Sequence, residues 1–105
     1  PYLEGERTPN LPDATASISG IALANGSREN FARACIEGML LGLVHGSQVI
    51  GSNGQEITSV SLIGGGAANR AVQQIAKELF DVEVLVPAAA EYVALGAAKQ
   101  AVGLI

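Results

Sequence analysis

The sequence predicts an α/β fold in which short parallel strands are covered by helices. Three observations carry this. Apolar residues recur at steps of three and four over Arg28–Ile50, again from Asn69 and again from Glu91. Two short β-prone runs, Ser59–Ile63 and Val82–Val86, alternate with those helices. Alternation of this kind predicts parallel strands joined by helical crossovers. The apolar residues are mostly Ala, Val, Ile and Leu, and with 13 glycines they suit tight helix-on-sheet packing.

Taken in order, Pro1–Ser17 is too rich in proline (Pro1, Pro9, Pro12) for regular helix or central strand, and reads as an extended loop. Glu4, Glu6 and Arg7 give it charge. It is either a solvated surface loop or a wall of a ligand cleft. Ile18–Leu23 reads as a short extended segment. Asn25-Gly26-Ser27 matches a glycosylation sequon, but a turn ahead of a helix explains it better, with Ser27 as N-cap and Glu29 in the first turn.

The long helix from Arg28 to about Ile50 presents Phe31, Ala34, Cys35, Gly38, Met39 and Gly42 on one face. Ile36, Leu40, Leu43 and Val44 widen that face, which predicts cover on more than one side. Gly38, Gly42 and Gly46 cost about 1 kcal/mol each in a helix, so a close crossing is expected there. Cys35 reads as a small buried hydrophobe rather than a nucleophile. His45 has no catalytic companion nearby in sequence and reads as structural.

Gly51–Gln55 ends the helix, and the strand Ser59–Ile63 comes next. The second helix starts at Asn69, packs Ala71, Val72, Ile75, Ala76 and Leu79, and points Arg70, Gln73, Gln74, Lys77 and Glu78 outward. It ends near Phe80-Asp81. The second strand stops at Pro87. The last helix, Glu91 to about Val102, packs Ala94, Leu95, Ala97, Ala98 and Ala101, with Gly96 at a close crossing. Two strands do not make a sheet that stands alone, so further strands are expected from chain before Pro1 or from a partner.

Composition bounds the function. At 105 residues this is one small domain or part of a larger one. The net charge is −4 without a Lys/Arg cluster, which opposes a nucleic-acid surface. No uninterrupted apolar run approaches the roughly 18 residues that cross a bilayer. The single cysteine excludes an internal disulfide, and no Cys/His cluster suggests zinc. A soluble cytoplasmic protein is the simplest account. The start on Pro1-Tyr2, without Met, is expected of a piece of a longer chain.

Ser59–Asn69, SVSLIGGGAAN, is where chemistry is expected. A strand that stops in Gly64-Gly65-Gly66 and turns into a helix lets a ligand approach backbone. The helix after it turns free N–H groups and partial positive charge to the same place. The run is neither a Walker loop nor a dinucleotide fingerprint. Alone it is equally well a tight turn that binds nothing.

Three separated pieces, PYLEGERTP, Ala16–Glu37 and IGGGAAN, followed by Glu91–Ala98, give the chain its resemblance. It resembles the C-terminal end of the FGGY carbohydrate kinases. The family's second signature reads here as Ala16-Ser17-Ile18-Ser19-Gly20-Ile21, then Asn30-Phe31, Ala34, Ile36 and Glu37. Cys35 departs from it, and Thr15-Ala16 stands where many members have Arg-Gly. PYLEGERTP is most similar to the members that phosphorylate D-xylulose.

The resemblance implies a partial ribonuclease-H-like lobe of the actin/hexokinase/Hsp70 type, with ATP and sugar meeting between two lobes. It implies that Gly65, Gly66 and Ala67 border the adenosine of ATP, with Asn69 and Arg70 near the base. Pro1–Pro9 would line the interlobe region. Mg²⁺ would ride on the phosphates. The catalytic Asp, the phosphate-binding segments and the sugar pocket would lie before Pro1; neither Asp13 nor Asp81 sits in that motif. The chain by itself is expected to be inactive and to self-associate. Another sugar kinase of the family, or a non-catalytic actin-like nucleotide-binding module, is the alternative reading.

Overall fold

A computed structural model describes residues 2–7 and 9–103. Pro1 and Thr8, which belong to the predicted loop, lie outside the described residues. The chain divides into two compact units, residues 1–43 and 44–105. The elements run α1 (Arg28–Ser52), β1 (Ser59–Ser61), a 3-10 turn (Gly65–Ala68), α2 (Arg70–Leu79), β2 (Glu83–Leu85) and α3 (Tyr92–Ala101). The predicted order of helix, strand, helix, strand, helix is the observed one.

In the first unit the loop folds back on itself. Glu6 and Leu11 exchange both backbone hydrogen bonds, at 2.9 and 2.8 Å, and the Gly5 N–H donates to the Ala14 carbonyl at 2.9 Å. Gly5 has φ +77°, and a Cβ there would collide with the Pro12 carbonyl oxygen. Ile18–Leu23 forms no strand, because no described segment pairs with it. Asn25 makes the predicted turn ahead of α1. Its Oδ1 accepts from the Ala22 N–H at 2.7 Å, and its Nδ2 donates to the Gly20 carbonyl at 3.0 Å. Ser27 caps α1 as predicted, its Oγ accepting from the Asn30 N–H at 3.2 Å.

The packing predicted for α1 is only partly realised. Leu40 is buried, but Phe31, Ala34, Cys35, Met39 and Gly42 are exposed, so Cys35 is not a buried hydrophobe. A Cβ on Gly42 or Gly46 would meet nothing within 4 Å, so neither marks a close crossing. The apolar stripe is there, but most of its side chains are exposed. The same holds for α3: Leu95 is 49 % exposed, and a Cβ on Gly96 also meets open space. Although the sequence has no uninterrupted apolar run of bilayer-crossing length, α1 as a whole is long and apolar enough, by length and composition, to cross a membrane. An Arg33–Glu37 pair one turn apart, at 2.6 Å, sits on its exposed surface.

The second unit holds the α/β packing. β1 and β2 are parallel, with Ser59, Val60 and Ser61 opposite Glu83, Val84 and Leu85. The Leu62 N–H extends the ladder, donating to the Leu85 carbonyl at 2.9 Å. α2 crosses between the strands and packs on β2 and the 3-10 turn. Val72, Ile75 and Ala76 are buried from α2, with Phe80 and Leu62. Each of the larger side chains contributes about 1.5–3 kcal/mol by leaving water. Ala71, expected to pack, is exposed; it sits in the first turn, ahead of the buried stripe. The last turns of α1 and the Phe80-Asp81-Val82 corner line an open cavity of about 290 Å³.

Glu29 supplies a test of the α1 cap. Its own backbone N–H and the Ser27 hydroxyl hold its carboxyl below the ordinary carboxylate range. A lowered folded-state value stabilises the fold above the unfolded value and is lost as pH falls through the folded one. Glu29→Gln is therefore expected to lower stability slightly at neutral pH, to flatten the acid side of the stability profile, and to converge with the parent once pH falls below the carboxylate range. Denaturation midpoints taken from neutral pH down through the carboxylate range check this.

Candidate functional site

The site begins where β1 runs out. After buried Leu62 the chain reaches Gly64, at φ 89° and ψ 177°. That combination belongs essentially to glycine. It turns the chain out of the strand and into the 3-10 turn, in which the Ala67 N–H donates to the Gly64 carbonyl and the Asn69 N–H to the Gly66 carbonyl, both at 3.1 Å. α2 starts at once. The predicted start at Asn69 is the N-cap: its Oδ1 accepts from the Ala71 N–H at 2.9 Å.

The N–H groups of Gly65 and Gly66 have no backbone acceptor among the described residues. A Cβ on either would meet nothing within 4 Å. Open space beside unpaired donors at a helix entrance suits a ligand rich in acceptors. The Arg70 side chain makes no ion pair among the described residues and adds positive charge nearby. Gly65, Gly66, Ala67, Asn69 and Arg70 thus fall within one turn and the first residues of α2. No group of three or more His, Cys, Asp or Glu is placed to hold a metal ion among the described residues. His45 lies on α1, away from any such group.

Gln73 departs from the sequence expectation. Predicted to point outward, it is half-buried, and its Nε2 donates to the Ala67 carbonyl at 2.7 Å. Its place next to Val72 and two residues before Ile75, both apolar, is the one signal the sequence carries for this. Arg70, Gln74, Lys77 and Glu78 are exposed, as predicted. The Asn30–Glu37 segment, part of the second signature, belongs to the first unit. With Ile18–Ile21 and Asn25 it borders an open cavity of about 280 Å³.

Comparison with known proteins decides the family. The model of the FGGY family of carbohydrate kinases, C-terminal domain, matches residues 1–103. This chain belongs to the FGGY family of carbohydrate kinases. The xylulose kinase of Haemophilus influenzae is 37 % identical over 101 residues, which is 96 % of this chain and 20 % of that protein. That of Streptomyces rubiginosus is 39 % identical over 106 residues, 100 % of this chain and 22 % of that protein. The crystal structure of xylulose kinase from Bifidobacterium adolescentis superposes with a TM-score of 0.80 at 50 % identity, over 95 % of this chain and 20 % of that one. The chain therefore spans about a fifth of the length of these kinases. The α/β, ribonuclease-H-like lobe implied by the sequence resemblance is the fold it has.

The FGGY-domain geometry separates the three glycines. Gly64→Ala is expected to lose about 1–3 kcal/mol, because only glycine holds that backbone cheaply. Gly65→Ala and Gly66→Ala meet open space and should unfold close to the parent. Urea unfolding of the three variants checks this, and equal losses at all three would contradict it.

Proposed function

We propose that this chain is the adenosine-side part of a xylulose kinase. The protein containing it would transfer the γ-phosphoryl of MgATP to the primary hydroxyl of D-xylulose, giving D-xylulose 5-phosphate and ADP. The observation that carries this is the 50 % identity to a xylulose kinase over 95 % of the chain.

In this reading the backbone at Gly65, Gly66 and Ala67 lies against the adenosine. Gly65 and Gly66 have room for that contact. The Asn69 carbonyl oxygen is used in capping α2, which leaves its Nδ2 for the base or ribose. The Arg70 guanidinium belongs to the next residue. Phosphoryl transfer is mainly positioning and charge stabilisation. Mg²⁺ is carried on the phosphates. The sugar, and the Asp that assists in-line attack, are held by residues outside this chain. α1 is a helix of the kinase lobe rather than a membrane span, since the family domain covers all of it. The reaction belongs in the cytoplasm, where ATP is supplied. By itself the chain would give no sugar-dependent ADP release. Its exposed apolar side chains, such as Leu43 and Val93 at 59 % and 83 %, favour self-association.

The test is Gly66→Val in the complete kinase. A branched side chain fits the empty space but occupies the ligand's side of the turn. The expected result is a rise of about tenfold in KM for ATP, equivalent to about 1.4 kcal/mol, with KM for D-xylulose unchanged. An unchanged KM for ATP would move the nucleotide away from this turn.

A further inference from the structure

We propose that Gln73 is a positioning residue for nucleotide binding, acting through the Ala67 carbonyl and not by touching the ligand. This rests on the adenosine-side reading above. The 3-10 turn is short, four residues from Gly65 to Ala68, and a turn of that length has little internal support. It is held at its start by the backbone of Gly64 and at its end by the Asn69 cap. Between these, Gln73 is the side chain that grips it, across six residues of sequence and at 2.7 Å.

The direction of this bond matters. With the Ala67 carbonyl bound by Gln73, that peptide cannot rotate to present its oxygen elsewhere. The peptide planes of the turn are then fixed relative to α2, whose buried face (Val72, Ile75, Ala76) is anchored in the core. The unpaired N–H groups of Gly65 and Gly66 lie in the same turn, so their aim is fixed too. Ala67 is itself only half-buried, so removing the Gln73 amide leaves no fully enclosed carbonyl behind. The consequence of losing it therefore falls on the order of the turn more than on global stability.

The experiment uses the complete kinase with Gln73→Glu, Gln73→Leu and Gln73→Lys. Glu keeps the shape and removes the donor, Leu removes all polarity, and Lys restores an N–H donor of similar reach. Gln73→Glu and Gln73→Leu are expected to raise KM for ATP about three- to tenfold, the range of one lost hydrogen bond. KM for D-xylulose and the unfolding midpoint should stay within error, and Gln73→Lys should recover most of the loss. Three variants with parental KM for ATP would overturn the proposal. So would a fall in kcat and unfolding midpoint that Lys does not rescue, which is the signature of a structural role. Gly66→Val, measured alongside, separates the two levels. If it raises KM for ATP and the Gln73 variants do not, only the Gln73 assignment fails. If it leaves KM for ATP unchanged, the adenosine-side reading itself fails.

Discussion

One backbone constraint organises the described α/β unit: the conformation of Gly64. The strand before it is buried at Leu62 and paired with β2; the helix after it is buried at Val72, Ile75 and Ala76. Both are anchored, so the joint between them has no freedom to relax. At φ 89° and ψ 177° the joint takes a conformation that a side chain would make costly. Beyond the joint lies a short turn in which the Gly65 and Gly66 N–H groups have no backbone acceptor among the described residues.

The turn is held by side chains as much as by its own hydrogen bonds. Asn69 accepts from Ala71 and Gln73 donates to Ala67, so the loop is tied to the first turn of α2. The helix thereby has two duties. Its apolar side builds the core, and its first polar side chains set the shape of the loop in front of it. In the adenosine-side reading proposed above, a loop held in this way would help to align the nucleotide, since phosphoryl transfer rests on positioning and charge stabilisation.

α1 and α3 show the opposite balance. Their apolar residues are spaced for burial, yet Met39, Leu41, Leu43 and Leu95 are each about half or more exposed. A two-stranded sheet is too small to cover such helices. The relatives are about five times longer than this chain, judged by the 20 % of their length that it matches. An apolar stripe is a statement about what a helix can bury, and the partner that buries it is a separate matter.

Local rules suffice wherever the cause is local. Helical periodicity locates all three helices to within about two residues, Ser27 is legible as a cap, and strand–helix–strand alternation implies the parallel pair. The spaced motifs around IGGGAAN are specific enough to indicate the family. Tertiary structure decides everything set by contact between segments distant in sequence or by a specific backbone angle. Cys35 reads as buried because its helix face is apolar, but exposure depends on a neighbour that periodicity cannot supply. Gln73 reads as outward because it is polar, but a carbonyl within reach of its amide turns it inward. Three consecutive glycines look alike in sequence. Only the fold makes Gly64 the strained joint and leaves Gly65 and Gly66 facing open space, because the difference lies in φ and ψ and not in composition.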